Sequence, residues 1–493
     1  MKPVKAEGLY NLVVIGAGPA GLVAAAGAAG LGARVALIER NLMGGDCLNF
    51  GCVPSKALIS SARLAQRMRE ADRWGLDPVN PVISFERVFG RMRSLRASLA
   101  PNDSQERFES LGVDVFRGEA RFVSPEAVSV GNLTLRGRHF LIATGSRARL
   151  PSWPGLETAP VFTNETIFDG LKQKPRALLV VGGGPQGCEL GQVFRRLGVE
   201  VILAQRADRL LPREDPEISE LIHAKLQAEG IRVILKARVQ GVTQTAEGTR
   251  VEFASGLENG MTGARAPIPA TVDAVLAASG RMPNIERLNL AAAGVASHEH
   301  GILVSQYLQT SVPRIFAAGD VAGPRLFTHT ADAQARIVIR NTLFPWKLLW
   351  QKMDYRVVPS CTYTTPEVAR VGINETEAAQ QGIPFDLYQI PMRELDRAVL
   401  SSETDGLAKV LTEKGKDRIL GATLVCEHAG DLIAEFALAM KHRLGLSALA
   451  STIHAYPTNA EIARKLGDRY NRTRLTPGAK KLFSWLYARG RKG

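Results

Sequence analysis

The chain has 493 residues, 45% of them apolar and 22% charged, which excludes a disordered or fibrous polymer and predicts roughly three globular domains. No run of about 18 uncharged apolar residues occurs, so no membrane-spanning helix is predicted. The 62 basic residues against 48 acidic ones leave a net charge of +14, suited to a nucleic acid, a membrane surface or small anionic ligands. The absence of zinc-finger spacing or a basic–heptad pattern argues against nucleic acid. Five cysteines in this length argue against a disulfide framework and for a reducing compartment. No apolar signal core precedes the first strand-like run, so a cytoplasmic protein is expected.

In chain order, the first elements form a repeat. Residues 12–40 (LVVIGAGPAGLVAAAGAAGLGARVALIER) and 178–206 (LLVVGGGPQGCELGQVFRRLGVEVILAQR) align without a gap. Each predicts a buried strand, a glycine turn, a helix and a second buried strand, the βαβ unit that binds dinucleotides. Gly16 and Gly182 fit the tight turn. Gly18 and Gly184 fit the approach of backbone amides to a pyrophosphate at a helix N-terminus. Gly21 and Gly187 fit close packing of helix on strand. One such pattern is weak; two in the same structural context predict two dinucleotide sites.

The second-strand ends differ. Glu39 stands where an acid bonds ribose hydroxyls, which suits FAD, whereas the matching residue of the second copy is Gln205. An amide there lacks the charge that repels a 2′-phosphate, and Arg206 and Arg209 follow, so NADPH is expected ahead of NADH. Arg206 also reads as a plain surface residue, because Arg40 occupies its equivalent in the first copy.

Between the copies lies GGDCLNFGCVPSKALISSARL. Gly44 and Gly45 suggest a flexible entry, and Pro54 suits an early helix position. A cysteine at a helix N-terminus has its thiolate stabilised by the dipole, and Lys56 adds positive charge. Cys47 and Cys52 are therefore expected to be a redox dithiol. A pair of buried cysteines, or half of a metal site, is the plainer alternative.

The string GGDCLNFGCVPSK resembles the redox motif of the class I pyridine nucleotide–disulfide oxidoreductases, which include dihydrolipoyl dehydrogenase, glutathione reductase and mercuric reductase. The resemblance continues through IATGS (142–146), ASGRMPN (278–284) and TSVPRIFAAGD (310–320), and spans roughly residues 10–468. It implies an α/β fold of two Rossmann-like domains, for FAD and NAD(P)H, followed by an α+β dimerisation domain. The implied segments are 1–150 and 281–350 for FAD, 151–280 for NAD(P)H, 351–470 for dimerisation and 471–493 as a basic tail. It also implies roles: Cys52 as the thiolate beside the flavin, Cys47 as the interchange thiol, and Lys56 near the flavin, paired with Glu189. Asp320 would lie by the ribityl chain and phosphates, with Gly45, Thr144, Gly145 and Gly280 also at cofactor. Glu189 as a helix-surface acid and Asp320 as a helix cap are the alternatives.

The stretch from about 350 (CTYTTPEVARVG, HAYPTNAEIARK) is similar to the family's dimerisation domain, whose partner subunit completes each active site. Disulfide-reducing relatives carry a catalytic His before a Pro there, with a Glu five residues on. Here the His position is Tyr456, Glu461 is retained and His454 stands two residues early. A phenol cannot replace imidazole as a base near neutrality. The resemblance is therefore to the mercuric-reductase-like branch, whose members carry Tyr and act on a soft metal ion. Their C-terminal cysteine pair is absent, and Cys361 and Cys426 read as structural. Dihydrolipoyl dehydrogenase is the alternative, and a flavin redox sensor or membrane-associated protein a third. The tail sets Leu482, Phe483, Trp485 and Leu486 among basic residues ending with Lys492, and FPWKLLWQK (344–352) adds two tryptophans. Packing on the dimer surface is expected for both, with membrane-surface contact as the weaker reading.

Overall fold

The computed structural model describes residues 8–254, 270–344 and 346–491. Pro345 of the tryptophan loop and Lys492 of the tail lie outside them. The chain forms two compact units. The first comprises residues 1–65, 81–208 and 229–355, and the second 66–80, 209–228 and 356–493.

The first unit holds the repeat. Strand Leu9–Ile15, helix Pro19–Gly30 and strand Val35–Glu39 are followed, one repeat later, by Ala177–Val181, Pro185–Arg196 and Glu200–Ala204. Both strand pairs are parallel, as a crossover helix requires. The first sheet runs Val113–Arg117, Val35–Glu39, Leu9–Ile15, Leu133–Ile142, with Ile315–Ala317 also parallel to Leu133–Ile142. The second is wholly parallel, in the order Arg232–Ile234, Glu200–Ala204, Ala177–Val181, Ala274–Ala277, Val161–Phe162. The strand Ile315–Ala317 thus returns to the first sheet after the second is complete.

The run of small residues in Pro19–Gly30 lets this helix lie close on its neighbours. Ala20, Ala24, Ala25 and Ala28 are buried against the sheet, and a Cβ on Gly27 would lie 2.5 Å from the Ile339 side chain of helix Thr328–Leu343. The two glycine turns are superposable in their constraints. Gly16 has φ +107° and Gly182 φ +119°, and a Cβ on Gly21 or Gly187 would lie 1.8 Å from the Gly16 or Gly182 carbonyl oxygen. No side chain other than hydrogen fits there.

The second unit carries an antiparallel sheet, ordered Ser360–Thr362, Glu367–Gly372, Ile419–Cys426, Leu407–Glu413, Phe385–Pro391. Helices Ala429–Lys441 and Glu461–Thr473 bury Phe436, Ile433, Ile462 and Leu466 in its core. Helix Pro216–Ala228 belongs to this unit, although the sequence order sets it among residues of the second βαβ copy. The cause is ionic: Lys409, 1% exposed on the sheet, reaches Asp215 at 3.0 Å and also pairs with Glu217 and Glu375. A buried ammonium without carboxylates would be very costly, so the acidic start of this helix is held to the sheet.

Replacing Lys409 by Ala strands these carboxylates, and breaking such a pair typically costs about 3–5 kcal/mol. Lys409→Ala should lower the first thermal unfolding transition by several degrees. An unchanged transition would show that the cluster contributes nothing.

Candidate active site at the dithiol

Cys47 lies on the short helix Gly45–Asn49, and Cys52 opens the helix Cys52–Arg69. The glycines before them form a fixed left-handed turn, with φ +87° at Gly44 and +58° at Gly45, rather than a flexible entry. The turn is pressed against the first glycine loop: a Cβ on Gly45 would lie 2.6 Å from Gly18 Cα. The repeat's own loop therefore positions the dithiol.

The two thiols are free and differ in acidity. The Cys52 thiol is lowered to about 6, first by the hydrogen bond it receives from Cys47, against the opposing effect of burial, then by Thr328 Oγ1 and the Lys56 charge. Thr328 Oγ1 stands 3.5 Å from Cys52 Sγ. Cys47 is pushed up by donating that bond and by burial. The pair therefore titrates as a unit, with the first thiolate on Cys52. Burial pushes the Cys188 and Cys426 thiols up instead.

Four residues further along, one helical turn, Lys56 Nζ lies 2.8 Å from Glu189 Oε2. Glu189 is buried on the helix Pro185–Arg196, so it is no surface acid. A second polar chain sits beside the dithiol. Arg281 Nη2 is 3.2 Å from Asp46 Oδ1, Arg281 Nε donates to Ser146 Oγ at 2.7 Å, and Ser146 Oγ donates to Asp320 Oδ2 at 2.5 Å. Asn164 Nδ2 donates to Asp46 Oδ1 at 2.9 Å. Burial pushes the Asp320 carboxyl up, with Arg281 and Ser146 opposing. Thr328, Asp46, Asn164 and Arg281 were not foreseen as site residues. Asp46, inside the string GGDCLNFGCVPSK, and Arg281, inside ASGRMPN, carried a signal; Thr328 and Asn164 carried none.

The residues present fit two dinucleotides. Helices Pro19–Gly30 and Pro185–Arg196 each start on glycine and proline with no side-chain cap and no acid in the first turn, which leaves their amides to an anion. Glu39 Oε2 accepts from Ala17 N at 2.7 Å, and Gln205 Oε1 accepts from Gly183 N at 3.1 Å, the equivalent bond without the charge. Gly16, Glu39, Thr144 and Asn284 line one cleft. Thr144 and Asn284 exchange hydrogen bonds of 2.8 and 2.9 Å, and the Gly145 carbonyl accepts from Asn284 N. The Gly280 carbonyl accepts from Arg149 N at 2.9 Å. Arg206 is exposed, while Arg209 belongs to the second unit, where it donates to Pro212 O.

In the second unit, Tyr456 is 68% exposed and its hydroxyl donates to Asp396 Oδ2 at 3.1 Å. That bond and the Asp396 charge push the phenol above its ordinary value. His454 turns inward, with Nε2 2.9 Å from Glu435 Oε1. Glu461 is buried and pairs with Arg464 at 2.8 Å. The Tyr456 hydroxyl thus pairs with Asp396, while Arg464, one turn along the same helix, takes the retained Glu461.

The description "Pyridine nucleotide-disulphide oxidoreductase" matches residues 10–335, and the dimerisation domain of the same family matches residues 358–466. The chain belongs to this family. The oxidoreductase is 36% identical over 457 residues to a mercuric reductase of Lysinibacillus sphaericus, covering 92% of this chain and 81% of the relative. It is 35% identical over 462 residues to a dihydrolipoyl dehydrogenase of Chlamydia muridarum, covering 92% and 95%. Among solved structures it resembles the Cu(II) complex of the HOCl-induced flavoprotein disulfide reductase RclA of Escherichia coli, with TM-score 0.82, 29% identity, and coverage of 94% and 99%. The oxidoreductase is accordingly an FAD-dependent enzyme with NAD(P)H as electron donor, and it carries the family's dimerisation domain.

A Cys47→Ser variant should show long-wavelength thiolate-to-flavin absorbance without added reductant, since the serine hydroxyl can still donate to Cys52. The absorbance should grow with a midpoint below the roughly 8.5 of an ordinary cysteine, because Thr328 and the Lys56 charge still lower the Cys52 thiol, and Thr328→Val should raise that midpoint. Cys52→Ser should abolish the absorbance. The opposite mutant pattern would reverse the two thiols.

Proposed function

We propose that this oxidoreductase uses NADPH to reduce a thiophilic metal ion at Cys47 and Cys52, in the manner of the mercuric-reductase-like branch, with disulfide reduction as the lesser activity. FAD would be held by Gly16, Gly18, Gly21, Glu39, Gly45, Thr144, Gly145 and Asp320, and NADPH by Gly182, Gly184, Gly187, Gln205, Arg206 and Gly280. The flavin supplies a two-electron relay between nicotinamide and disulfide. Lys56, held by Glu189, places a positive charge beside the dithiol and stabilises negative charge that develops there. Cys52 supplies the thiolate, and Cys47 meets the acceptor.

The observation that carries this reading is the proton chemistry at Tyr456. Exchange with a small disulfide needs a base to take and return a proton on the interchange thiol. Tyr456 is held protonated by Asp396, and His454 is engaged with Glu435. A soft metal ion needs thiolates and no such base. Its reduction balances without one: the metal ion displaces the Cys47 proton to solvent as it binds, and the Cys47 and Cys52 sulfurs then form an S–S bond and release two electrons, which convert Hg(II) to Hg(0) or two Cu(II) to two Cu(I). The Cu(II) complex of RclA supports the binding of a thiophilic metal ion by a protein of this fold. The dimerisation domain supports a two-fold dimer in which Tyr456 and Glu461 approach the partner's dithiol. The cysteine chemistry suits a reducing cytoplasm.

The test is an anaerobic acceptor panel with NADPH: Hg(II), Cu(II), lipoamide and glutathione disulfide. Metal ions should be reduced and the disulfides turned over poorly. Tyr456→His should raise disulfide turnover, up to the 10²–10⁴-fold typical of a matched base, and leave metal reduction unchanged. Lipoamide turnover at the level of a dedicated dehydrogenase would instead assign the chain to that activity.

NADPH should reduce the flavin faster than NADH at equal low concentration, and Gln205→Glu should shift the preference towards NADH. Stopped-flow flavin bleaching reads both. A wild-type preference for NADH would sink the argument from Gln205.

A further inference from the structure

The C-terminal helix Pro477–Gly490 begins beyond the last residue matched by the dimerisation domain, residue 466. It is well bounded: the Thr476 side chain accepts from Ala479 N, and Pro477 occupies the first turn. None of its residues is buried. Ala479, Leu482, Phe483 and Leu486 recur at three- and four-residue spacing and form one apolar stripe, with Tyr487 at its edge. Lys480, Lys481 and Ser484 occupy the opposite face, while Arg489, seven residues after Leu482, flanks the stripe together with Trp485, and Arg491 caps the helix end. Leu482, Phe483, Trp485, Leu486 and Tyr487 are each 44–64% exposed. Five large apolar side chains within six residues, all open to water, form an unusual surface for a helix with no core contact.

The charge says what covers it. No acidic residue follows Asp468. Arg469 pairs with Glu394, but Arg472, Arg474, Lys480, Lys481, Arg489 and Arg491 form no ion pair among the described residues. A second copy laid on this helix would set cation against cation, which is repulsive. An anionic lipid surface answers both faces at once, taking the apolar stripe into the acyl boundary and the basic residues at the headgroups. Trp485 fits that boundary, with the Arg489 guanidinium 4.0 Å over its ring, a pairing in which the ring is buried and the charge stays at the polar edge. The helix has 14 residues, and no described helix is long and apolar enough to cross a membrane. It would lie in the interface plane.

We propose that this helix docks the enzyme on an anionic lipid bilayer. The inference does not depend on which acceptor is reduced. The flavin-loaded full chain should co-sediment with vesicles of equal parts phosphatidylglycerol and phosphatidylcholine, and not with phosphatidylcholine alone. Binding should fall as salt screens the charges. Lys480→Gln with Lys481→Gln should weaken it about 30-fold, from the free energy typical of each basic residue at such a surface. Phe483→Ser with Trp485→Ser should lose binding while keeping flavin absorbance, oligomeric mass and NADPH oxidation. The proposal is overturned if anionic vesicles do not bind the protein at low salt, or if either double variant binds them as the wild type does. A changed oligomeric mass in the Phe483→Ser, Trp485→Ser variant would overturn it in favour of a second copy. Binding to duplex DNA at a salt concentration that releases the vesicles would overturn it in favour of nucleic acid.

Discussion

The ion pair of Lys56 with Glu189 is the contact on which the site depends. A carboxylate as buried as Glu189 is costly to ionise unless a cation stands against it. The cation comes from the dithiol helix and the carboxylate from the second βαβ copy, so one 2.8 Å contact joins the redox cysteines to the nicotinamide-type module. The same lysine lowers the Cys52 thiol. Neutralising Glu189 and stabilising a thiolate are therefore two uses of one charge, and its position sets both.

Around this pair the fold uses one device twice. In each copy the third glycine lets the helix start lie against the first glycine's carbonyl, and the polar end of the second strand bonds the next amide of the loop. Glu39 and Gln205 keep that bond alike; only the charge differs. The structural task is thus separable from the recognition of a ribose, and cofactor preference can vary without disturbing the turn.

Much of this was legible in the residues. The gap-free repeat, the acid or amide at each strand end, and Cys-x4-Cys before a basic helix turn are local patterns, and local sterics and dipoles act on them directly. The Lys56–Glu189 contact came only by family resemblance, because nothing in spacing alone brings residues so distant in sequence together. Thr328 escaped for the same reason: it meets Cys52 across the fold, from the start of a helix whose own pattern is merely amphipathic. Helix Pro216–Ala228 was read by its place in the chain, whereas its acidic start is drawn to buried Lys409. The Asp396 partner of Tyr456 was equally hidden, as was the hold of Arg464 on the retained Glu461.

The return of strand Ile315–Ala317 to the first sheet also bears on how the molecule is made. As the chain leaves the ribosome, residues 133–136 pair at once with the preceding strand Ala127–Val130, but Phe140, Leu141 and Ile142 have one side of their ladder open until the whole second sheet has been synthesised. An unpaired strand edge is a template for wrong pairing. The entropic cost of closing so long a loop grows only slowly with length, and it falls further when the intervening module has already folded and brought its ends near each other. The nicotinamide-type module then acts as a spacer of fixed span. A lesion that slows its folding should expose the flavin-type sheet edge during synthesis, and so cause aggregation through a part of the protein that the lesion does not touch.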